Sequence, residues 1–526
     1  MHVKIYSADL VGVDAYKVEV EVDVGGGLPG YHLVGLAATA VAEGRVRIRT
    51  ALANTGLALP ARKITVNLAP AEMRKDTTAF DLPVALGILA GLDLIPQSAL
   101  DGVMAVGELA LDGSIRPVRG VLSVAMLARE EGLGRLIVPN ENAQEAALVS
   151  GLDVRRCTNL AQVVADLRGE ADMPVPVLAS AAAEPDRRAP DLVDVRGQEA
   201  AKRALEVAAA GGHNLLMIGP PGSGKSMLAR RLASLLPPMT TQESLECTRI
   251  YSVAGLLGAR RLIDRRPFRA PHHSVSMAGL VGGGPGPKPG ELTLAHNGVL
   301  FLDEVLEFQR GTLESLRQPL EDGSITITRA KASVTFPARV MLVGAMNPCP
   351  CGHLGDPYRA CVCSAAQVAR YRSRLSGPLV DRVDIQIDVP RLSYDELAGE
   401  RPDETSAQVR DRVAEARLRQ VERFSGVVGP SRPLSNAQMG VADLEEFCRV
   451  GPKGHELLKQ ASSRLGLSAR AVHRVLKVAR TIADLDSDDR IGVAHLAEAI
   501  SYRSLDWGGQ STGDEQRIWT GRRRAS

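Results

Sequence analysis

The sequence predicts an α/β protein in three parts: an N-terminal α/β domain, a central core on a parallel sheet, and a C-terminal helical bundle. Three observations predict it. Residues Tyr16–Val24 alternate apolar with charged side chains, the period of a half-buried strand. The apolar run Asn214–Ile218 passes directly into the glycine-rich stretch Gly219-Pro220-Pro221-Gly222-Ser223-Gly224-Lys225-Ser226, the strand–loop–helix order of a parallel α/β core. Beyond about residue 405, apolar positions recur at helical spacing on otherwise charged segments.

Bulk properties bound what the chain can be. Its 526 residues are too many for one core, so several domains are expected. A hydrophobic content of 45% supplies ample material to bury. The net charge of +2 gives no global basic field, so any surface for nucleic acid must be local. The N-terminus shows no charged region leading into an apolar run, and no stretch is long enough to span a bilayer; a cytoplasmic protein without a membrane partner is expected. Four of the seven cysteines cluster, which in such a compartment points to metal rather than disulfides.

Taken in order, Val3–Ile5 and Tyr16–Val24 read as strands, Gly25–Gly30 as punctuation, Lys63–Leu68 as a strand and Leu82–Leu92 as a helix, with further α/β segments to Leu167. Residues 170–192 mix Pro, Ala and charge without periodicity and read as a linker. A helix at Glu199–Ala209 leads to the glycine loop. There the backbone N–H groups would curl around phosphates, and the helix N-terminus adds partial positive charge. Lys225 would reach the β- and γ-phosphates, and the Ser226 hydroxyl would ligand Mg²⁺, with Gly219 through Ser226 and Met227 lining the nucleotide. The run Gly298–Leu302 ends in Asp303 and Glu304; a buried parallel strand delivers such acids to the ligand crevice. Asp303 would hold Mg²⁺ and Glu304 would polarise an attacking water. ATP with Mg²⁺ is the cofactor pair this implies.

Further on, Cys349, Cys351, Cys361 and Cys363, with His353 nearby, could satisfy a tetrahedral Zn²⁺, although C-x-C spacing is tight; unmetallated surface thiols are the alternative. His272 and His273 stand apart from other donors in sequence and read as structural. Arg260, Arg261, Arg265, Arg266 and Arg269, followed by the glycine-rich 282–290, make either a pore-entering loop or a solvated edge at a subunit contact. Residues 323–336 read as a hairpin with Arg329 and Lys331 at its tip. Helices are expected at Thr405–Phe424, with Val409, Val413, Ala416 and Val421 on one side, and at Ala437–Arg449, Gly454–Leu465, Ala469–Leu485 and Val493–Arg503.

These parts together resemble the ComM/YifB family of Mg-chelatase-like AAA+ proteins from residue 3 to about residue 505, most specifically in Pro267–Ser274 and Ala295–Glu304. The resemblance implies a Lon-protease-like domain (1–169) and an AAA+ P-loop NTPase core (193–392) with an insertion at 255–292. It implies a helical lid over 393–504 and a tail after it. It implies that Asn347, after the strand Arg339–Met346, sits at the sensor 1 position, and that Val195 and Gln198 help hold adenine. Within Leu375–Asp384, Arg382 would act on the neighbouring subunit's nucleotide, as arginine fingers do, with Arg374 and Arg372 as further candidates; pairing of Arg382 with Asp381 or Asp384 is the alternative. Arg470 would be sensor 2, with Arg474 on the same helix face.

In the N-terminal domain the likeness to Lon proteases rests on Asn67–Asp76 and Gly107–Gly113. It puts Ala79 and Leu122 where the catalytic Ser and Lys would be, so acyl chemistry has no nucleophile or base. The family implies a homohexamer working on DNA, by branch migration or unwinding of recombination intermediates. In such a ring Arg329 and Lys331 would give about twelve pore charges, enough to neutralise several phosphates. The rivals are a motor that remodels a protein partner and an ATP-dependent protease.

Overall fold

The computed structural model describes residues 2–36, 38–177, 190–258, 262–284, 287–329, 332–398, 404–427 and 432–503. The chain divides into two compact units, one of residues 1–184, 241–264 and 330–334, the other of residues 185–240, 265–329 and 335–526.

The first unit is a seven-stranded mixed sheet. Its strands are β1 (His2–Val11), β2 (Asp14–Gly25), β3 (Gly30–Val34), β4 (Lys63–Ala69), β5 (Val103–Ala105), β6 (Arg135–Pro139) and β7 (Asp153–Cys157), in the order β3-β4-β2-β1-β5-β6-β7. The β1–β2 hairpin pairs Ile5 with Val20. Alternation turns Val18, Val20, Val22 and Val24 into the core and leaves Lys17, Glu19, Glu21 and Asp23 toward water. Helix α1 is Thr39–Asn54, and helix α2 (Asp81–Gly91) is buried at every position. Such an all-round apolar helix can only be internal. Gly87 and Gly91 let it lie on the sheet, because a Cβ there would come within 2.6 and 2.7 Å of the Val22 and Val24 methyls.

Ala79 and Leu122 are both buried in one apolar cluster with Ala8, Met104 and Val106. The two positions that would carry a Ser–Lys dyad are therefore filled with hydrocarbon. The expected linker is shorter than its composition suggested: the Met173 side chain is buried, and the backbone carbonyls of Met173 and Pro174 accept from the Arg155 side chain and the Arg156 N–H. Residues 178–189 lie outside the described residues.

One segment departs from the sequence-based division, which put residues 241–264 in the central core. The helix Thr241–Ala254 packs in the first unit instead. Arg249 donates to Val13 O (3.2 Å) and pairs with Asp14, and Ser252 meets the buried Glu145. A polar pattern of this kind is invisible to hydrophobic periodicity.

The second unit holds β8 (Leu215–Ile218), β9 (Phe268–Arg269), β10 (Gly298–Leu302), β11 (Ser324–Arg329), the part of β12 (Ala332–Pro337) from Thr335 on, β13 (Val340–Met346) and β14 (Ile385–Asp388). Five of them form a sheet in the order β9-β10-β13-β8-β14, parallel throughout, while β11 and β12 pair with each other. Strands covered on both faces need apolar side chains on both, which is why β8 and β10 are written as continuous apolar runs. The register Leu302↔Gly344 and Ile218↔Met346 brings the carboxyl ends of β10, β13 and β8 together, so Asp303, Asn347 and Gly219 emerge side by side.

The helical part follows the predicted elements closely: Ser406–Arg423, Val441–Phe447, Pro452–Leu465, Ala469–Leu485 and Val493–Ser501. The inward stripe of the first is Val409, Val413, Ala416 and Gln420; Val421 points outward and is exposed. Spacing of four, three and four residues lands on 420, and Gln420 is satisfied there by Ala210 O and Asn436 N. Residues 504–526 lie outside the described residues.

Candidate active site

The phosphate loop joins β8 to the helix Lys225–Leu235. Its conformation requires glycine at both turns, since Gly222 (φ 76°) and Gly224 (φ 92°) are left-handed. Gly219 is required by proximity, because a Cβ there would sit 2.1 Å from Val389 O. Lys225 donates to Gly219 O (2.7 Å) and Pro220 O (2.9 Å), and its Nζ lies 3.5 Å from Asn347 Oδ1. Burial pushes the Lys225 pKa down, while Asp303 and Glu304 pull it back.

Ser226 Oγ donates to Asp303 Oδ2 at 2.6 Å, so the two oxygens expected to hold Mg²⁺ already meet. Asp303 Oδ1 also accepts from the Glu304 N–H at 3.0 Å. Glu304 is left-handed (φ 49°), and its side chain stands in solvent beside the loop. The residues fit a magnesium-bound polyphosphate on three counts. Ser223 Oγ is buried without a partner, nothing lies within 4 Å of a Cβ at Gly222 or Gly224, and Lys225 holds only neutral acceptors. Met227 is exposed on the helix that follows. Gln198 bridges Pro390 O (2.7 Å) and Ser223 O (3.5 Å), bracing the loop, and Val195 is buried in the core beneath.

The His273 Nδ1 lies 3.9 Å from Glu304 Oε2. Its ring lies tilted against His272, with centroids 4.0 Å apart, and meets Phe308 edge to face. Nothing in the spacing joins residues 273 and 304; only the pairing of β9 with β10 does so.

Arg382 does not stand free. Its side chain is buried, with Nε donating to Arg317 O (2.9 Å), Nη1 to Pro378 O (2.6 Å) and Nη2 paired with Glu321 (2.5 Å). It pairs with Glu321 rather than with Asp381 or Asp384, and it does not reach outward from this protomer. Arg374 is the exposed member of the group, 3.3 Å from Glu307 and over the Tyr371 ring, while Arg372 donates to Pro348 O (3.2 Å).

Among the C-terminal helices, Arg470 is exposed in the first turn of Ala469–Leu485. Arg474 turns inward to Asp384 (2.5 Å), which also accepts from Asn214 N and faces His213. Burial, the largest single influence, opposes the Asp384 charge, but Arg474 and His213 together outweigh it and hold the carboxyl well below the usual carboxylate range. Burial keeps His213 neutral.

The four clustered cysteines converge. Cys349 lies 3.4 Å from Cys351 and 3.6 Å from Cys361, Cys351 lies 3.6 Å from Cys361, and all four sulfurs are within 4.8 Å of one another. His353 is not part of this set; its Nδ1 faces Asp356 (3.1 Å), which also accepts from Tyr358 N. Backbone N–H groups of His353 and Val362 bonded to the Cys351 sulfur bring its pKa down to about 6.

Of the basic insertion, Arg266 donates to Pro237 O and Asn297 O, and Arg269 pairs with Glu291 (2.6 Å), so both are tied into the fold rather than lining an edge. Arg260, Arg261, Lys331 and the side chain of Arg329 lie outside the described residues. Among the described residues no helix is long and apolar enough to cross a membrane.

Three family descriptions match: the magnesium chelatase subunit ChlI over residues 191–397, the ChlI subunit of Mg-chelatase over residues 20–142, and the C-terminal part of the ChlI subunit over residues 403–503. The competence protein ComM of Haemophilus influenzae is 47% identical over 506 residues, covering 95% of this chain and 97% of that one. YifB of Escherichia coli is 43% identical over 503 residues, with 95% and 97% covered. The magnesium-chelatase 38 kDa subunit of Cereibacter sphaeroides is 29% identical over 170 residues, 29% of this chain and 51% of that one.

Proposed function

The chain belongs to the ComM/YifB family of Mg-chelatase-like AAA+ proteins, and from that premise we propose that it is a ring-forming ATPase that couples hydrolysis to DNA remodelling. One observation carries the ATPase reading: Lys225, Ser226, Asp303, Glu304 and Asn347 meet at the carboxyl ends of three adjacent parallel strands. Ser226 and Asp303 would hold Mg²⁺, which neutralises phosphate charge. Lys225 would exchange its loop carbonyls for phosphate oxygens, and Asn347 would orient the terminal phosphoryl group. Glu304 would fix a water in line and take its proton as the oxygen attacks phosphorus. The four-thiol cluster is the candidate seat of a structural Zn²⁺.

The DNA reading is supported by near full-length similarity to a protein named for competence. A homohexamer is the assembly that would let a neighbour's arginine complete each site. Arg382 can serve only by leaving Glu321 and two carbonyls; Arg374, the more exposed, would leave Glu307 and the Leu306 carbonyl. The test is ATP turnover with and without single-stranded, duplex and branched DNA across a salt series. Stimulation that weakens steeply with salt is expected. Turnover indifferent to all three DNA forms would overturn the DNA reading in favour of a motor acting on a protein partner.

A further inference from the structure

We propose that Zn²⁺ on Cys349, Cys351, Cys361 and Cys363 acts as a clamp that holds Asn347 against the phosphate loop, making nucleotide binding depend on the ion. The proposal rests on the four-thiol reading of the zinc seat and on the loop's role in holding nucleotide.

The sulfur geometry comes first. Four thiolates about 2.3 Å from a tetrahedral Zn²⁺ stand about 3.8 Å from one another. The observed 3.4, 3.6 and 3.6 Å approach that spacing, whereas a disulfide needs about 2.05 Å, and all four cysteines are free. Backbone N–H groups also point at the sulfurs: those of His353 and Val362 at Cys351, and that of Cys363 at Cys361. Fixed outer donors of this kind orient and hold metal-bound thiolates. The segment between the two pairs, residues 352–360, offers Tyr358, which is exposed, and little else apolar to order it. An ion is the element that can close such a loop.

Position then gives the ion its consequence. Cys349 is two residues beyond Asn347, and Arg372 fixes the carbonyl of the intervening Pro348 at 3.2 Å. Gly352, next to Cys351, lies on the phosphate loop itself: a Cβ there would come 2.7 Å from Pro221 Cδ and 4.0 Å from Asn347 Cγ. Gly352 is also left-handed (φ 82°), so the contact is built for a residue without a side chain. The ligand loop thus touches the phosphate loop on one side and continues into Asn347 on the other. Loss of the ion frees both at once.

Three measurements on the full chain test this. Metal analysis of the protein as purified should find one zinc per chain, released by a chelator and restored by added Zn²⁺. Binding of a fluorescent non-hydrolysable ATP analogue should weaken when zinc is stripped and recover when it returns, with turnover falling about 100-fold, the scale of a ~1 Å misplacement of a positioning group. Gly352→Ala should keep its zinc and its melting temperature to within a few degrees yet weaken the analogue about tenfold, since the added methyl presses on Pro221. Absence of zinc at every step would sink the zinc seat and the clamp together, leaving the ATPase reading to stand on turnover. Zinc present, with the stripped chain and Gly352→Ala both binding the analogue as the untreated protein does, would overturn the clamp alone. Failure of the untreated protein to bind the analogue would overturn the reading of the phosphate loop.

Discussion

Arg474→Ala separates two arginines that share a helix face and that spacing alone could not tell apart. In the fold, Arg474 pairs with Asp384, whose side chain is 4% exposed; that carboxylate also accepts from Asn214 N at 3.1 Å. His213 beside it is fully buried and neutral, so it supplies no replacement charge. Removing one partner of a buried pair costs about 3–5 kcal/mol because a charge is left without a counter-ion. The Arg474 side chain retains 21% exposure, so water reaches the vacated site and the lower end applies, about 3 kcal/mol. At roughly 2–3 °C per kcal/mol for a unit of this size, the melting temperature of the second unit should fall about 6–9 °C. Asp384 has a depressed pKa in the fold, so its contribution is complete above the ordinary aspartate value near 3.9 and is lost as pH falls through the native value. The deficit of the variant should therefore be full at pH 7.5 and shrink only below about pH 4. Arg470→Ala, at an exposed position, should leave melting within about 0.5 kcal/mol of the parent and lower turnover instead. Calorimetry at both pH values reads the first pair of claims, and a melting shift below 1 °C in Arg474→Ala would refute the reasoning.

Glu304→Gln should bind ATP with unchanged affinity and lose at least about 100-fold in turnover, with no loss of melting temperature because the side chain is exposed; an isotherm and a turnover assay on one preparation check it. His273→Ala should lower kcat about tenfold at unchanged KM, as expected for a residue that positions a catalytic carboxylate rather than touching the nucleotide. Mixing Glu304→Gln subunits with Arg374→Ala or with Arg382→Ala subunits, and measuring turnover against mixing ratio, identifies the arginine that works across the interface. Arg382→Ala should also melt lower, since it leaves Glu321 and two carbonyls without their donor.

The candidate nucleotide site was legible because parallel strands buried on both faces are written as unbroken apolar runs, and each run ends on the residue it delivers. Leu215–Ile218 ends at Gly219, Gly298–Leu302 at Asp303, and Val340–Met346 at Asn347. The helices after residue 405 were legible for the same kind of reason, down to the stripe Val409, Val413 and Ala416. What failed to show was the choice among polar partners. Arg382 lies one residue from Asp381 and two from Asp384, yet it bonds to Glu321; Asp384 takes Arg474 from the helix Ala469–Leu485. Spacing says which face a side chain occupies, not what the fold brings to meet it. His273 and Glu304 meet for that reason alone, through the pairing of two strands about thirty residues apart.

The protomer's own arginines bear on the proposal of a ring. Stabilising charge on a transferring phosphoryl group requires a cation beyond Lys225 and the metal. Near the site, Arg372 is bonded to Pro348 O, Arg374 to Glu307, and Arg382 to Glu321 and two carbonyls. Each bond is worth about 0.2–3 kcal/mol, most for the buried Arg382, so surrendering one within the same protomer subtracts from whatever the freed cation then gains. An arginine offered by a neighbour recovers that cost through the interface it helps to form, and turnover per chain should then rise with protein concentration until assembly is complete. A specific activity that stays flat from nanomolar concentrations, where no assembly forms, up to micromolar would place the missing cation within one chain, with Arg470 of the lid as its source.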